Sequence, residues 1–142
     1  MIWVEMEKVM KKAQIEIFNQ YLDIFTKKSF AHLATIMKDG SPQISPVWVD
    51  YDGTYILVNT ARDRQKVINI RRDPRVAVSI QDPDNPYRKL LVRGRVVEET
   101  IQNAGNHIDR LAKKYTGAAS YQNRVPGMVR IILKIKPEHI SG

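Results

Sequence analysis

Apolar positions along this chain change period several times, and each change marks an element. Between residues 7 and 27, Val9, Ala13, Ile17, Tyr21 and Ile24 recur three or four apart, with Lys and Glu between them. That spacing predicts an amphipathic helix. Trp3 and Val4 precede it as candidates for packing on a neighbour. From Phe30 the pattern alternates through His32, Ala34 and Ile36, which predicts a strand over about 30–37. Asp39-Gly40 is a hairpin turn signal. SPQISPVWVDY reads as a second strand, Asp52-Gly53 as a second turn and TYILVNT as a third strand. Together they predict an antiparallel meander. Pro42 and Pro46 cannot donate to a ladder, so the Pro46 region belongs at an edge, a bulge or a break.

Residues 62–73 predict a short helix with Val67 and Ile70 on its apolar side. Pro74 disfavours helical geometry at Asp73 and ends it. RVAVSIQ is a fourth strand, and DPDNPY is a loop. RKLLVRGRVVEE is a long fifth strand in which Gly94 marks a bulge or a close backbone approach. TIQNAGNHIDRLAKKY gives a second long helix with Ile108, Leu111, Ala112 and Tyr115 on one face. TGAASYQNRVPG is a loop and MVRIILKIKP a sixth strand. Six strands in antiparallel runs with few helices predict a mainly β, α+β domain, a closed or nearly closed barrel with helices outside. One domain is expected over residues 1–142, with the helix at about 7–27 and the barrel at about 29–137.

The length of 142 residues, 43% of them hydrophobic, suits a single core. Cysteine is absent, which excludes disulfides, thiolate metal sites and a Cys nucleophile. No apolar run approaches the roughly 18 residues of a membrane span. The charged N-terminus lacks the apolar core of a secretory signal. The expectation is a soluble, cytoplasmic protein with no membrane partner. The net charge of +8 calls for an anionic partner: nucleic acid, an acidic surface or a phosphorylated small molecule.

That charge is concentrated. Arg62, Arg64, Lys66, Arg71, Arg72 and Arg75 cluster where the third strand passes into the first short helix, against Asp63 and Asp73 alone. Free N–H groups at a helix start favour an anion, and Thr60 adds a hydroxyl. The alternative is a solvated helix face capped by Asp63. Neither GxxxxGK[ST] nor GxGxxG is present, so this is not a nucleotide P-loop or a dinucleotide fingerprint.

Other chemistry is sparse. His32 sits in an alternating strand, His107 and Asp109 point to different helix faces, and His139 is nearly terminal. No pair has metal-ligand spacing, so no metal is expected. There is no GxSxG elbow. Glu98, Glu99 and Asp50 carry no distinguishing signal, and no catalytic acid or base is assigned. An enzyme built this way needs a bound cofactor for its chemistry. Trp48, between two valines, reads as a core aromatic or as part of a Pro-broken strand open to a flat ring. Tyr87-Arg88-Lys89 has the same ambiguity.

The ordered segments FAHLATIMKDGSPQISPVWVDYDG, YILVNTARDRQKVINIRRDPRVAVSI and DPDNPYRKLLVRGRVVEE resemble the pyridoxamine 5'-phosphate oxidase-like split-barrel superfamily. With HIDRLAKKY and RVPGMVRIILKIKP they are most similar to its small deazaflavin-dependent members. The resemblance runs from about residue 27 to 137. It implies a six-stranded antiparallel split β-barrel that forms a homodimer, with FMN or coenzyme F420 in each cleft between subunits. It implies that Thr60 and Lys66 hold the cofactor phosphate, with Asn59 and Gln65 at neighbouring contacts. Arg64 joins them by charge and position. Pro46, Val47, Trp48 and Val49 match the segment whose backbone lines the tricyclic ring. Lys89 falls where the oxidases carry a glutamine near the cofactor.

The oxidases also have an Arg in the strand matching residues 43–49 and a longer C-terminal segment. This chain lacks that Arg and stops at Gly142. The function implied is hydride transfer between the cofactor and a small planar or conjugated molecule, not pyridoxamine phosphate oxidation. The surplus of Arg62, Arg64, Arg71 and Arg72 over the needs of one phosphate leans toward the acidic tail of F420, although Arg71 and Arg72 also suit a solvated helix end. Rival readings are a non-catalytic flavin or haem binder and, last, a basic nucleic-acid module. The chain has no RRM-type aromatic motif and no zinc-finger spacing.

Overall fold

The computed structural model describes residues 12–142. Trp3, Val4 and Val9 lie outside the described residues. Residues 12–19 form helix α1, followed by a 3-10 turn over Leu22–Thr26. The strands are β1 (Ala31–Ile36), β2 (Pro42–Val47), β3 (Asp50–Tyr51), β4 (Ile56–Ala61), β5 (Arg75–Asp82), β6 (Asn85–Thr100) and β7 (Arg130–Ser141). Helices α2 (Gln65–Arg72) and α3 (Ala104–Thr116) separate β4 from β5 and β6 from β7. All neighbours pair antiparallel in the order β2-β1-β5-β6-β7-β4-β3.

Seven strands form where the sequence predicts six, because the second splits. Pro42–Val47 pairs with β1, whereas Asp50 and Tyr51 pair with Leu57 and Ile56 of β4. The two hairpins therefore form at opposite edges of the sheet and do not make one continuous meander. Only Trp48 and Val49 separate the two edge strands, so the sheet must curl until its edges meet. Pro46 sits in the edge strand β2, where its missing N–H costs no ladder bond. Gly40 and Gly53 adopt φ of +88° and +97° in the two Asp-Gly turns.

Alternation places Leu33, Val78, Ile80, Leu90, Val92, Leu133 and Ile135 inside the barrel. Every residue of β4 is buried. Ile56 and Val58 face the interior, while Leu57 packs with Ala104 and Ile132 under α3. Phe18 and Ile24 close the barrel from the N-terminal side, and Ala13 on α1 is exposed. At Gly94, where the β6–β7 register shifts, a Cβ would collide with the Lys136 carbonyl. The glycine is thus a requirement of close strand approach. Helix α2 stops at Arg72, and Asp73 turns extended before Pro74.

Candidate functional site

Strand β4 ends at Ala61, and Arg64 lies in extended conformation as the N-cap of α2. No side chain caps the helix, so Asp63 does not close it. First-turn N–H groups thus remain for an anion, in the field of the helix dipole. Beside this corner lies a cavity of about 410 Å³, lined by Pro46, Val47, Trp48, Asn59, Thr60, Arg64 and Lys66, with Arg130 and Tyr121 completing its polar side.

Three cations converge there. Burial lowers the Lys66 ammonium below the usual lysine range, and the positive charges of Arg64 and Arg130 push it further. Burial likewise lowers the Arg130 guanidinium. None of the three forms an ion pair with a carboxylate among the described residues. Thr60 is buried, and its hydroxyl makes no hydrogen bond to protein among the described residues.

The rest of the basic cluster is occupied elsewhere. Arg71 pairs with Glu99. Arg72 donates to the Ile36 carbonyl at 2.6 Å, and Arg75 pairs with Asp73 at 2.7 Å. Arg62 is exposed. Arg71 and Arg72 are therefore engaged within the chain and are not surplus charge awaiting an acidic tail.

The opposite wall is flat and apolar. Trp48 stacks on Tyr115 with centroids 5.1 Å apart and planes 4° from parallel, and meets Tyr121 edge-on at 6.1 Å. Lys114 donates to the Val49 carbonyl at 2.7 Å, and the Val49 N–H donates to the Tyr115 hydroxyl at 3.1 Å. Val49 thus turns its backbone to α3 and its side chain into the core, away from the cavity. Gln65 is also turned aside, donating to Asn69 Oδ1 at 2.8 Å. Lys89 is exposed on β6 opposite Gln81 and does not reach this cavity. Of the ten positions singled out in the sequence, seven line one space.

Arg130, Tyr121, Phe30, Ile108 and Asn123 also line it and were not anticipated. Arg130 arrives through the β4–β7 pairing, opposite Ala61, a contact between residues far apart in the chain. His107 has no metal-ligand spacing in the sequence and faces away from Asp109, yet it is buried and joins Asn59 to Asp50. Its place among Ala104, Ile108 and Leu111 on one helix face was the available signal. No Asp, Glu or His lines the cavity among the described residues. Its chemistry suits an anionic group at the cationic corner and a flat apolar body against Trp48.

A curled antiparallel sheet, split where its edges meet at Trp48, is the architecture of the split-barrel proteins. The chain belongs to the pyridoxamine 5'-phosphate oxidase family, whose profile matches residues 17–142. A solved structure described as an F420 reductase is 33% identical, with a TM-score of 0.74 over 85% of this chain and 95% of that one. A conserved hypothetical protein from Mycobacterium tuberculosis is 25% identical, with a TM-score of 0.66 over 86% and 81% of the two chains. General Stress Protein 26 from Bacillus anthracis is 17% identical, with a TM-score of 0.62 over 90% and 91%, a likeness of fold alone.

Proposed function

We propose that this protein binds a flavin-type cofactor, FMN or F420, and acts as an oxidoreductase on a small planar or conjugated molecule. The carrying observation is the convergence of Arg64, Lys66 and Arg130 on a cavity faced by Trp48. Cations brought together without carboxylates repel one another, and an anion relieves that repulsion. Thr60 and the uncapped start of α2 would add neutral donors to a phosphate. Pro46, Val47 and Trp48 would bound the ring. The likeness to the F420 reductase supports this reading.

When bound, the tricyclic ring supplies the hydride chemistry. The chain anchors the anionic end, limits water at the apolar wall and fixes orientation. With no Asp, Glu or His in the cavity lining among the described residues, proton transfer by a carboxylate or imidazole of this cavity is not part of the reading. The same fact favours a second reading, a non-catalytic flavin binder, over a hydrolase. Pyridoxamine phosphate oxidation is not proposed, since no Arg occurs at residues 43–49.

A homodimer fits the surface. Phe30, at the cavity mouth, and Ile44, on the edge strand, are 56% and 65% exposed. Ile44 borders an apolar hollow of about 490 Å³ with Ala34, Ala77, Leu91 and Ile140. Among the described residues, no helix is long and apolar enough to cross a membrane.

The deciding experiment is titration of the purified apoprotein with FMN and with F420, read by ligand fluorescence at moderate salt. Saturable binding of either supports the reading and selects the redox assay. Binding of neither removes it.

A further inference from the structure

Among the described residues, Arg130 is the cation of the cavity whose orientation is held by a chain of polar groups that runs through buried Asn59 and His107. Its Nε donates to Asn59 Oδ1 at 2.9 Å. Arginine is a donor only, so this bond fixes which end of the Asn59 amide is oxygen. The amide nitrogen must then face the other way. It donates to the Ala104 carbonyl at 2.8 Å and lies 3.1 Å from His107 Nδ1. Because Asn59 presents hydrogen there, His107 Nδ1 must accept. The ring proton is therefore on Nε2, which lies 3.0 Å from Asp50 Oδ2. Asp50 is held in turn by the Tyr51 N–H at 2.8 Å. Burial works to raise the Asp50 carboxyl, but the bonds from His107 and Tyr51 outweigh it and hold the group ionised. Four elements thus meet in one directional series, Asp50 on β3, His107 on α3, Asn59 on β4 and Arg130 on β7.

His107 is fully buried and does not itself line the cavity, which it meets only through Asn59 in this series. Its two ring nitrogens are both committed, and only one tautomer satisfies both partners. We propose that His107 is a positioning residue for the anion site: as the neutral Nε2–H tautomer it locks the Asn59 amide, and through it aims the Arg130 guanidinium at the bound anion. The Tyr121 ring, 5.1 Å from the Arg130 guanidinium carbon, supports the same orientation from the other side. This rests on the flavin-type reading for the identity of the anion, not for the geometry.

Two variants separate the two bonds of His107. In His107→Asn, the short amide can still meet Asn59 but cannot reach Asp50. In His107→Gln, the longer amide can meet Asp50 but leaves Asn59 without its acceptor. FMN affinity should fall roughly tenfold in His107→Gln and much less in His107→Asn, within the range of couplings inside one hydrogen-bond network. In an Arg130→Gln background, His107→Gln should add less than about a twofold loss, because its route of action is gone. An equal added loss in that background would overturn the proposal.

A ligand-free measurement stands apart from cofactor binding. Long-range proton–nitrogen spectra of the intact protein should show His107 unprotonated at Nδ1, with a slowly exchanging Arg130 Nε–H. The Nδ1–H tautomer, or a freely exchanging Arg130 Nε–H, would overturn the proposal even if FMN binds. If neither FMN nor F420 binds while this signature is present, the flavin-type reading fails and the positioning relay stands.

Discussion

The hydroxyl of Tyr115 bridges Ser29 and Val49, donating to the Ser29 carbonyl at 2.6 Å and accepting from the Val49 N–H at 3.1 Å. It thereby pins the point where the barrel edge splits, and the same ring carries Trp48 in parallel stack. Burial pushes the phenol up to about 12, so it stays protonated across the working range. Tyr115→Phe keeps the stack but orphans both backbone groups. It should cost about 1–3 kcal/mol in urea unfolding, the penalty for buried groups left unpaired. A loss below the resolution of the melt would show that water replaces the hydroxyl.

Lys66 should couple ligand affinity and stability to pH with opposite signs. Its folded pKa is lowered, so between that value and the ordinary 10.5 the unfolded chain binds more protons than the folded one. The Lys66 contribution to apoprotein stability therefore rises as pH rises through the folded pKa. Anion affinity should fall over the same window, because the ammonium is lost. Lys66→Ala should weaken FMN binding about tenfold or more, since a charged hydrogen bond contributes roughly 1.5–3 kcal/mol. Isothermal titration from neutral to alkaline pH checks this. Wild-type affinity that is flat with pH, together with an unaffected variant, would remove Lys66 from the site.

Arg71 provides the contrast. It carries the same charge on the same short helix, but its guanidinium is paired with Glu99 at a half-exposed position. Arg71→Ala should leave FMN affinity within about twofold and cost no more than about 1 kcal/mol, as exposed ion pairs do. A large loss of ligand affinity would mean that the anion extends along the helix beyond its first turn.

The contrast between Lys66 and Arg71 shows what the sequence could and could not supply. A run of positive charge after Thr60 is visible in one dimension. Arg75 is spent locally, on Asp73 two residues before it, but the commitment of Arg71 to Glu99 and of Arg72 to Ile36 is decided by tertiary contacts that no local pattern encodes. Strand positions and both Asp-Gly turns were legible because period and turn chemistry are local. The split of the second strand was not, since Asp50 and Tyr51 look like a continuation until β4 claims them. Arg130 was invisible for a similar reason, its place being set by the pairing of Ala61 with a strand almost seventy residues later.

Gly94 was legible, and its consequence is sharp. Gly94→Ala would drive a Cβ into the Lys136 carbonyl, a backbone group that cannot rotate away. The β6–β7 ladder must spread at its bulge or the substitution is not accommodated. The expected cost is about 1–3 kcal/mol, as for other overpacked sites, with the cavity little affected because Arg130, the β7 residue in its lining, pairs with Ala61 of β4 and precedes the residues of β7 that pair with β6. Chemical denaturation together with FMN titration tests both halves. Full stability in the variant would show that the bulge can open without loss.

Asp82 contributes to the acid limit of the fold. It is buried at the end of β5, where it accepts the Asp84 N–H at 2.9 Å, Arg88 at 2.8 Å and Lys27 at 3.1 Å. Those bonds, the Asp84 N–H foremost, hold its carboxyl down to about 2 against an ordinary 3.8. A depressed carboxyl stabilises the fold fully above the unfolded value, and that stabilisation is lost as pH falls through the folded value. The stability gap between wild type and Asp82→Asn should therefore be constant above 3.8 and shrink steadily toward pH 2. Lys27 and Arg88 also tie the 3-10 turn to the β5–β6 hairpin, through Asp82 and through Asp23, to which Arg88 donates at 2.7 Å. Loss of protection in acid should accordingly begin at residues 22–27, which hydrogen exchange resolved by residue would detect ahead of β4 and β7. Simultaneous loss across the whole sheet would show instead that the turn and the barrel unfold as one unit.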